Sequence, residues 1–264
     1  MQNFTELLRR HRSIRRFKPD PIPRELIERV SDAAIAGTSS SGNLNCSSLV
    51  LTRDPERKRK LYALHFEQEM VLQAPLVITA CADWYRTRQW LRLRGARDNF
   101  DNLLGYHVAA FDAMILAQTL CLGLEAEGLG ICYMGTTLSS MGEIAELLEL
   151  PETCVPVTSL VVGYPDEDPP KRDRLPLRAY LHDETYHRPT DEEIEEIFRA
   201  REVAGWARYM ANPALKARVE ELGVTSLAQF YTSKAKYDPD EFRADSEKLE
   251  RVLRARGFWG QGRG

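Results

Sequence analysis

The chain of 264 residues lacks several motifs that would assign a chemistry directly. It contains neither Gly-x-Gly-x-x-Gly nor Gly-x-x-x-x-Gly-Lys-Ser/Thr, which disfavours a Rossmann dinucleotide fold and a P-loop. Without a Gly-x-Ser-x-Gly, a hydrolase nucleophile elbow has no support. The five cysteines form no Cys-x-x-Cys, and the histidines do not pair with them at ligand spacing. A zinc site is therefore disfavoured, and we expect no bound metal.

Charge and hydropathy narrow the class of protein further. The net charge of -3 argues against a dedicated nucleic-acid binder, because such proteins usually carry a basic domain. We find no apolar run of the roughly 18 residues that a membrane span needs. The segment Met1–Glu6 lacks the regions of a signal peptide. An odd number of isolated cysteines fits reduced thiols, so we expect a cytoplasmic protein that binds neither nucleic acid nor membrane.

Apolar patterning predicts strands and helices in loose alternation, which is typical of an α+β or α/β sandwich. The predicted strands are Ser47–Thr52, Leu76–Ala82 and Val155–Val162. The predicted helices run from Pro23 to Gly37, from Asp54-Pro55 to His65, from about Asn102 to Glu127, and from the capping-box sequence at Ser140 to about Leu150.

Two stretches do not fit this alternation. The segment Arg86–Arg97 has no clear period, and we interpret it as a surface excursion. From Asp191 onward the pattern is almost all helical. We therefore predict a main domain over residues 1–190 and a C-terminal helical extension over residues 191–264.

Four polar clusters interrupt the apolar elements: His11–Arg16, Ser39–Asn45, Tyr133–Thr137 and Lys171–Pro176. The first cluster has two readings, an anion site or a solvated basic face. Arginine forks match phosphate oxygens in pairs, and hydroxyl groups and backbone amides suit the rest of a small molecule. Taken together, the clusters fit a phosphorylated cofactor.

These clusters carry a resemblance to the nitroreductase family of FMN-dependent oxidoreductases, in the branch of oxygen-insensitive NADPH nitroreductases and NADPH-flavin reductases. The resemblance spans roughly residues 3 to 190 and consists of motifs in a fixed order. They are His11-Arg12-Ser13-Ile14-Arg15 with Phe17, Thr38-Ser39-Ser40-Ser41, Leu44-Asn45-Cys46-Ser47-Ser48, Gln73-Ala74, Gly128-Leu129-Gly130, Tyr133-Met134-Gly135, and Arg172-Asp173-Arg174-Leu175-Pro176.

The resemblance implies a central, mainly antiparallel sheet flanked by helices, in an intertwined homodimer with FMN at the subunit interface. Carried over by position, the phosphate clamp consists of His11, Arg12, Ser13 and Arg15, with Arg172 and Arg174 closing it. Partner-supplied residues beside the flavin are Ser39, Ser40 and Ser41. Amides that bond the isoalloxazine are Asn45 and Gln68, and the segment along the flavin is Tyr133, Met134 and Gly135. Asn45 stands where Gln is usual, and Arg172 stands where Lys is common.

The activity implied by the resemblance is hydride transfer from NAD(P)H through FMN to nitroaromatic, quinone or flavin acceptors, with ping-pong kinetics. The partners are then NAD(P)H and a planar small-molecule oxidant. No catalytic side chain is required, because FMN performs the redox step. Lys234 and Lys236 lie where the NADPH-using branch binds the 2'-phosphate, although a solvated loop explains them equally well.

Two other functions remain open at this stage. One is a flavin-binding protein without turnover, for storage or regulation. The other is an interaction module that binds an anionic partner through Arg9–Arg16.

Overall fold

A computed structural model describes residues 4–37 and 40–258. The chain forms two compact units, Met1–Pro170 with Ser246–Gly264, and Lys171–Asp245. These boundaries differ from the predicted division at residue 190. The difference arises because residues near the end of the described chain, such as Leu253 and Phe258, are buried in the core of the first unit. The assignment of a cofactor domain and an extension stays a prediction.

The first unit is built on a four-stranded antiparallel sheet in the order β1-β2-β4-β3. The strands are β1 Ser47–Thr52, β2 Leu76–Asp83, β3 Gly130–Met134 and β4 Cys154–Gly163. The three predicted strands are confirmed, and β3 was missed. With only five residues, at the end of a helix and at the edge of the sheet, β3 offers too short an apolar pattern to be recognised.

Helices lie on both sides of this sheet. Those of the first unit are α1 Phe4–Arg10, α2 Arg24–Ala36, α3 Pro55–Leu64, α4 Met70–Gln73, α5 Tyr85–Leu93, α6 Leu103–Ala126 and α7 Met141–Leu147. Along β2, Leu76 and Ile78 pack with α2 and α6, whereas Val77 packs on the other side with α3, α4 and α7. The predicted antiparallel sheet flanked by helices is therefore confirmed.

Local signals place most of the helix starts. The Asp54 side chain accepts from the Arg57 N–H at 2.8 Å and begins α3. Ser140 is the residue before α7, as predicted, but the capping box does not form, because its hydroxyl donates to the Leu64 carbonyl at 2.7 Å. The predicted surface excursion Arg86–Arg97 is largely exposed, as expected, but most of its first half forms the helix α5, which was not predicted. Within α5 only Thr87 is buried.

Helix α6 is apolar around most of its circumference. It is long and apolar enough to cross a membrane by length and composition, contrary to the expectation that no such run exists, and half of that window is buried within the fold. Its inner face packs on the sheet through Leu116, Leu120 and Leu124. Leu104 and Phe111 are exposed, so part of α6 presents apolar side chains to the surroundings.

Apart from one short 3-10 turn, the first twenty residues of the second unit form a loop, and the longer elements among its described residues are α-helices. The unit contains α8 Asp191–Met210, α9 Pro213–Glu221 and α10 Leu227–Tyr231, and α11 Pro239–Ala255 begins there and ends in the first unit. Thr190 and Glu193 form a reciprocal capping box that starts α8. A small core of Val219, Leu227 and Phe230 holds the unit together.

Candidate cofactor site

The basic cluster His11–Arg16, hereafter the clamp segment, runs along the edge of the sheet beside β3. The Ile14 N–H donates to the Ile131 carbonyl of β3 at 2.9 Å. Phe17 forms an isolated bridge with Pro165, just after β4. Because Ile14 and Phe17 are buried, they anchor the segment to the core. The polar residues between and beside them are half-buried or exposed, at the surface next to β3.

The Gly128-Leu129-Gly130 motif makes this docking possible. Gly128 has φ +82° and ends α6, with the Gly128 and Leu129 N–H groups bonded to the carbonyls of Glu125 and Leu124. At Gly130 an added Cβ would lie 2.6 Å from Ile14 Cγ1. The absence of a side chain at Gly130 therefore lets the clamp segment lie against β3.

We expect Gly130→Ala to lower the free energy of unfolding by about 1–3 kcal/mol, because the new methyl group must displace Ile14. The displaced segment should also bind anions less tightly. Urea unfolding measures the first effect. The control is Gly135→Ala, where no atom of the described residues lies within 4 Å of an added Cβ. Equal stability of the two variants would contradict the close packing of Gly130 on Ile14.

Carboxylates contact the clamp segment at several points. The N–H groups of Arg15 and Arg16 both donate to Oε1 of Glu167, at 2.5 and 3.1 Å. The Arg12 guanidinium pairs with Asp168, and His11 Nδ1 lies 2.7 Å from Oε1 of Glu125. Two adjacent backbone donors on one carboxylate oxygen form an oxyanion site. These donors are of the kind that a phosphate group requires, and in this structure they are bonded to carboxylates of the chain.

A second group of predicted residues lies around the end of β3. The Gln68 Nε2 donates to the His65 carbonyl at 3.1 Å and to Thr136 Oγ1 at 3.4 Å. Thr136 belongs to the 3-10 turn Gly135–Thr137. The structure therefore brings Gln68 next to the predicted flavin segment. Met134 is buried in the core, so its side chain does not face a ligand.

His65 supports this group from within the fold. It is fully buried, and its Nδ1 lies 2.8 Å from Thr136 Oγ1. Burial lowers the pKa of His65 to about 4. Its Nε2 is buried and has no hydrogen-bond partner among the residues that the structure describes. Burial also raises the pKa of Tyr133, whose hydroxyl donates to Gln118 Oε1 at 3.0 Å.

The serine-rich loop lies at the opposite edge of the sheet. Ser40, Ser41 and Asn45 are exposed in the loop that leads into β1, and Ser39 lies outside the described residues. Asn45 lines a groove of about 480 Å³, a volume typical of small-ligand pockets. Its side-chain Nδ2 donates to the Asn43 carbonyl at 2.8 Å.

The two sets of residues do not meet within one chain. The clamp segment and Tyr133–Gly135 lie beside β3, whereas Ser40–Asn45 lead into β1, and these are the two edge strands. Three strand spacings separate the edges by about 14 Å. Each edge therefore carries only part of the predicted site.

The remaining predicted residues belong to the second unit. Arg172 and Arg174 are exposed there. Lys236 places its Nζ 5.3 Å from the centre of the Tyr237 ring. The cofactor roles of these residues stay predictions.

Sequence reasoning missed the acidic residues that organise both edges. Glu167 and Asp168 could have been noticed as an acidic run after the third predicted strand. Asp112 had a clearer signal, since it is the only Asp, Glu, Lys or Arg between Leu103 and Leu124. A single carboxylate in such an apolar helix requires a specific partner.

Comparison with known proteins places these residues in a family context. The sequence model described as the Nitroreductase family matches residues 8–164. An FMN reductase (NADPH) from Bacillus subtilis is 33% identical over 194 residues, covering 73% of this chain and 78% of that protein.

Solved structures agree over nearly the whole chain. A candidate oxidoreductase from Bacteroides fragilis is 34% identical, with a TM-score of 0.86 and coverage of 97% of this chain and all of that one. The NADPH:FMN oxidoreductase from Vibrio harveyi, solved with NAD+, is 25% identical, with a TM-score of 0.77 and coverage of 97% and 98%.

Proposed function

The chain belongs to the nitroreductase family, and from that membership and the clamp geometry we propose that it is an NAD(P)H-dependent FMN oxidoreductase. Its acceptors are nitroaromatics, quinones or free flavin. FMN, when bound, supplies the hydride chemistry. The chain supplies binding, orientation and electrostatics, and donor and acceptor use the same site in turn, which gives ping-pong kinetics.

The clamp segment carries this proposal. It lies inside the region that matches the family, and its backbone donors at Arg15 and Arg16 hold a carboxylate oxygen of Glu167. A phosphate oxygen has the same requirement for donors, and the guanidiniums of Arg12 and Arg15 add paired charge. The donor set therefore fits the phosphate of FMN.

The separation of the two edges supports a homodimer. We assign the clamp segment, Gln68 and Tyr133–Gly135 to one side of each FMN, and the loop Ser39–Asn45 of the partner subunit to the other. The exposed apolar side chains of α6, such as Leu104 and Phe111, offer a surface that association would bury. Each dimer then holds two equivalent sites.

The residues around the ring have distinct tasks in this arrangement. The side-chain amides of Gln68 and Asn45 hydrogen-bond the edge of the isoalloxazine. Amide donors at this edge stabilise the negative charge that develops there on reduction. Gly135 leaves space for the ring, because within the described part of the chain no other atom lies within 4 Å of the position that a Cβ would take.

NADPH is the donor we assign. The support is the name of the Bacillus relative, an FMN reductase (NADPH), together with the basic pair Lys234 and Lys236. All five cysteines are free and buried, which supports a cytoplasmic location.

An anaerobic titration of the purified protein tests the proposal. The protein should be yellow, with a flavin absorbance band at about 450 nm. This band should bleach when NADPH is added, and should bleach less when NADH is added. Reoxidation by an added quinone completes the turnover. A protein that stays colourless with added FMN would contradict the proposal. A yellow protein that neither reduced nucleotide bleaches would favour the flavin-storage function instead.

A further inference from the structure

Asp112 joins α6 to both ends of the loop that precedes β1. Its Oδ1 accepts from the Ser40 N–H at 2.9 Å, and its Oδ2 accepts from the Cys46 N–H at 3.0 Å. The residue is 6% exposed, so water hardly screens these bonds. Charge-assisted hydrogen bonds in such surroundings are strong. One carboxylate therefore fixes the loop Ser40–Cys46 at its beginning and at its end.

Arg86 of α5 holds the carbonyl groups of the same region. One guanidinium nitrogen donates to the carbonyls of Asn45 and Ser47, at 3.1 and 2.7 Å. The other donates to the Ser48 hydroxyl at 2.6 Å. Asp112 thus accepts hydrogen bonds from the backbone N–H groups of this region, whereas Arg86 donates hydrogen bonds to its backbone carbonyls.

Between these attachments the loop turns sharply. Asn43 and Asn45 both have φ +53°, in the left-handed region that asparagine tolerates better than other residues with a side chain. The hydrogen bonds of Asp112 and Arg86 attach this turn to α6 and α5. The middle of the loop, at Ser41 and Asn43, remains exposed and presents its polar groups outward.

We propose that Asp112 is a positioning residue for the cofactor held by the partner subunit. By fixing the loop Ser40–Cys46, it presents that loop to the FMN that the other subunit's clamp segment binds. This inference rests on the proposed function. Asp112 acts through the loop, and Arg86 supports the same geometry from the carbonyl side.

The first test is FMN affinity in Asp112→Asn. The amide can accept only one of the two N–H groups, so one end of the loop is released. We expect the FMN dissociation constant, measured by flavin fluorescence, to rise roughly tenfold or more. The matched control is Asp54→Asn, which alters a carboxylate on the Arg57 N–H at the start of α3. That variant should keep the affinity of the wild type.

A mixed dimer distinguishes positioning across the interface from a general loss of structure. One chain carries Asp112→Asn, and the other carries Arg12→Ala with Arg15→Ala. Each homodimer should bind FMN poorly. A heterodimer purified through two different tags should recover one tight site per dimer, because one site then joins an intact clamp with an intact loop.

Every outcome of these measurements bears on the proposal. Unchanged affinity in Asp112→Asn overturns the inference and leaves the proposed function standing. A heterodimer with no tight site overturns the inference together with the assignment of the loop to the partner's FMN, and leaves the proposed oxidoreductase activity standing. A wild-type protein that does not bind FMN overturns both. If Asp112→Asn does not fold, Arg86→Gln replaces it in both experiments, with the same expected recovery of one site.

Discussion

Replacing both Arg12 and Arg15 with Ala in the homodimer should abolish FMN binding at micromolar protein concentration while the dimer still folds. Each guanidinium offers charge-assisted hydrogen bonds worth about 1.5–3 kcal/mol, so their joint loss should raise the dissociation constant by roughly 10² to 10⁴-fold. The Arg12 side chain is 32% exposed and Arg15 is exposed, so truncation should cost little stability. Flavin fluorescence titration measures the affinity, and size-exclusion chromatography measures the dimer.

The matched control for this pair removes two other surface arginines. Arg29 pairs with Glu127, and Arg57 pairs with Glu149, both at 2.8 Å. The double variant Arg29→Ala with Arg57→Ala changes the net charge by the same amount, yet should keep its FMN. If both double variants bind FMN with similar affinity, the clamp segment does not hold the phosphate.

The part of this site that could be predicted from the sequence is the part whose residues are contiguous in the chain. The clamp segment is contiguous, so its chemistry could be recognised from His11–Arg16 alone as a possible anion site. The buried strands β2 and β4 and the capped helix α3 were predictable for a similar reason. Each carries its signal within its own residues, as an apolar run or as an Asp-Pro start.

Features that depend on tertiary contacts were not predictable. Helix α5 buries only Thr87, and β3 takes its place in the sheet by pairing with β4. The bonds of Asp112 join residues 66 and 72 positions apart. No local pattern encodes such a contact, although an isolated carboxylate in an apolar helix indicates that one exists.

The division of the site between two edges also changes how single substitutions should be interpreted. In the proposed homodimer, a variant of the loop Ser40–Cys46 and a variant of the clamp segment would affect different faces of the same cofactor. In a homodimer both lower the FMN affinity, so affinity alone cannot assign a residue to one face. Mixed dimers make the assignment, because complementation occurs only between defects in different sets.

Acidification should destabilise the folded chain through His65. Burial lowers the pKa of His65 in the folded state to about 4, whereas the pKa of an imidazole in the unfolded chain is about 6.5. Below the unfolded value, the unfolded chain takes up a proton that the folded chain excludes. The protonation of His65 therefore does not lower the free energy of unfolding above about pH 6.5. Below that pH the free energy of unfolding falls progressively until the pH reaches about 4. The total loss is about 3 kcal/mol.

Urea unfolding of His65→Asn and wild type between about pH 7 and pH 4 measures this contribution. In the wild type, His65 Nδ1 lies 2.8 Å from Thr136 Oγ1. The Asn side chain keeps a polar group near that position, but it does not titrate. The difference in unfolding free energy between the two proteins should therefore shrink or reverse as the pH falls. Because His65 supports the turn that contains Gly135, retention of FMN should fall over the same pH range in the wild type. Parallel pH profiles for the two proteins would show that another group governs the acid sensitivity.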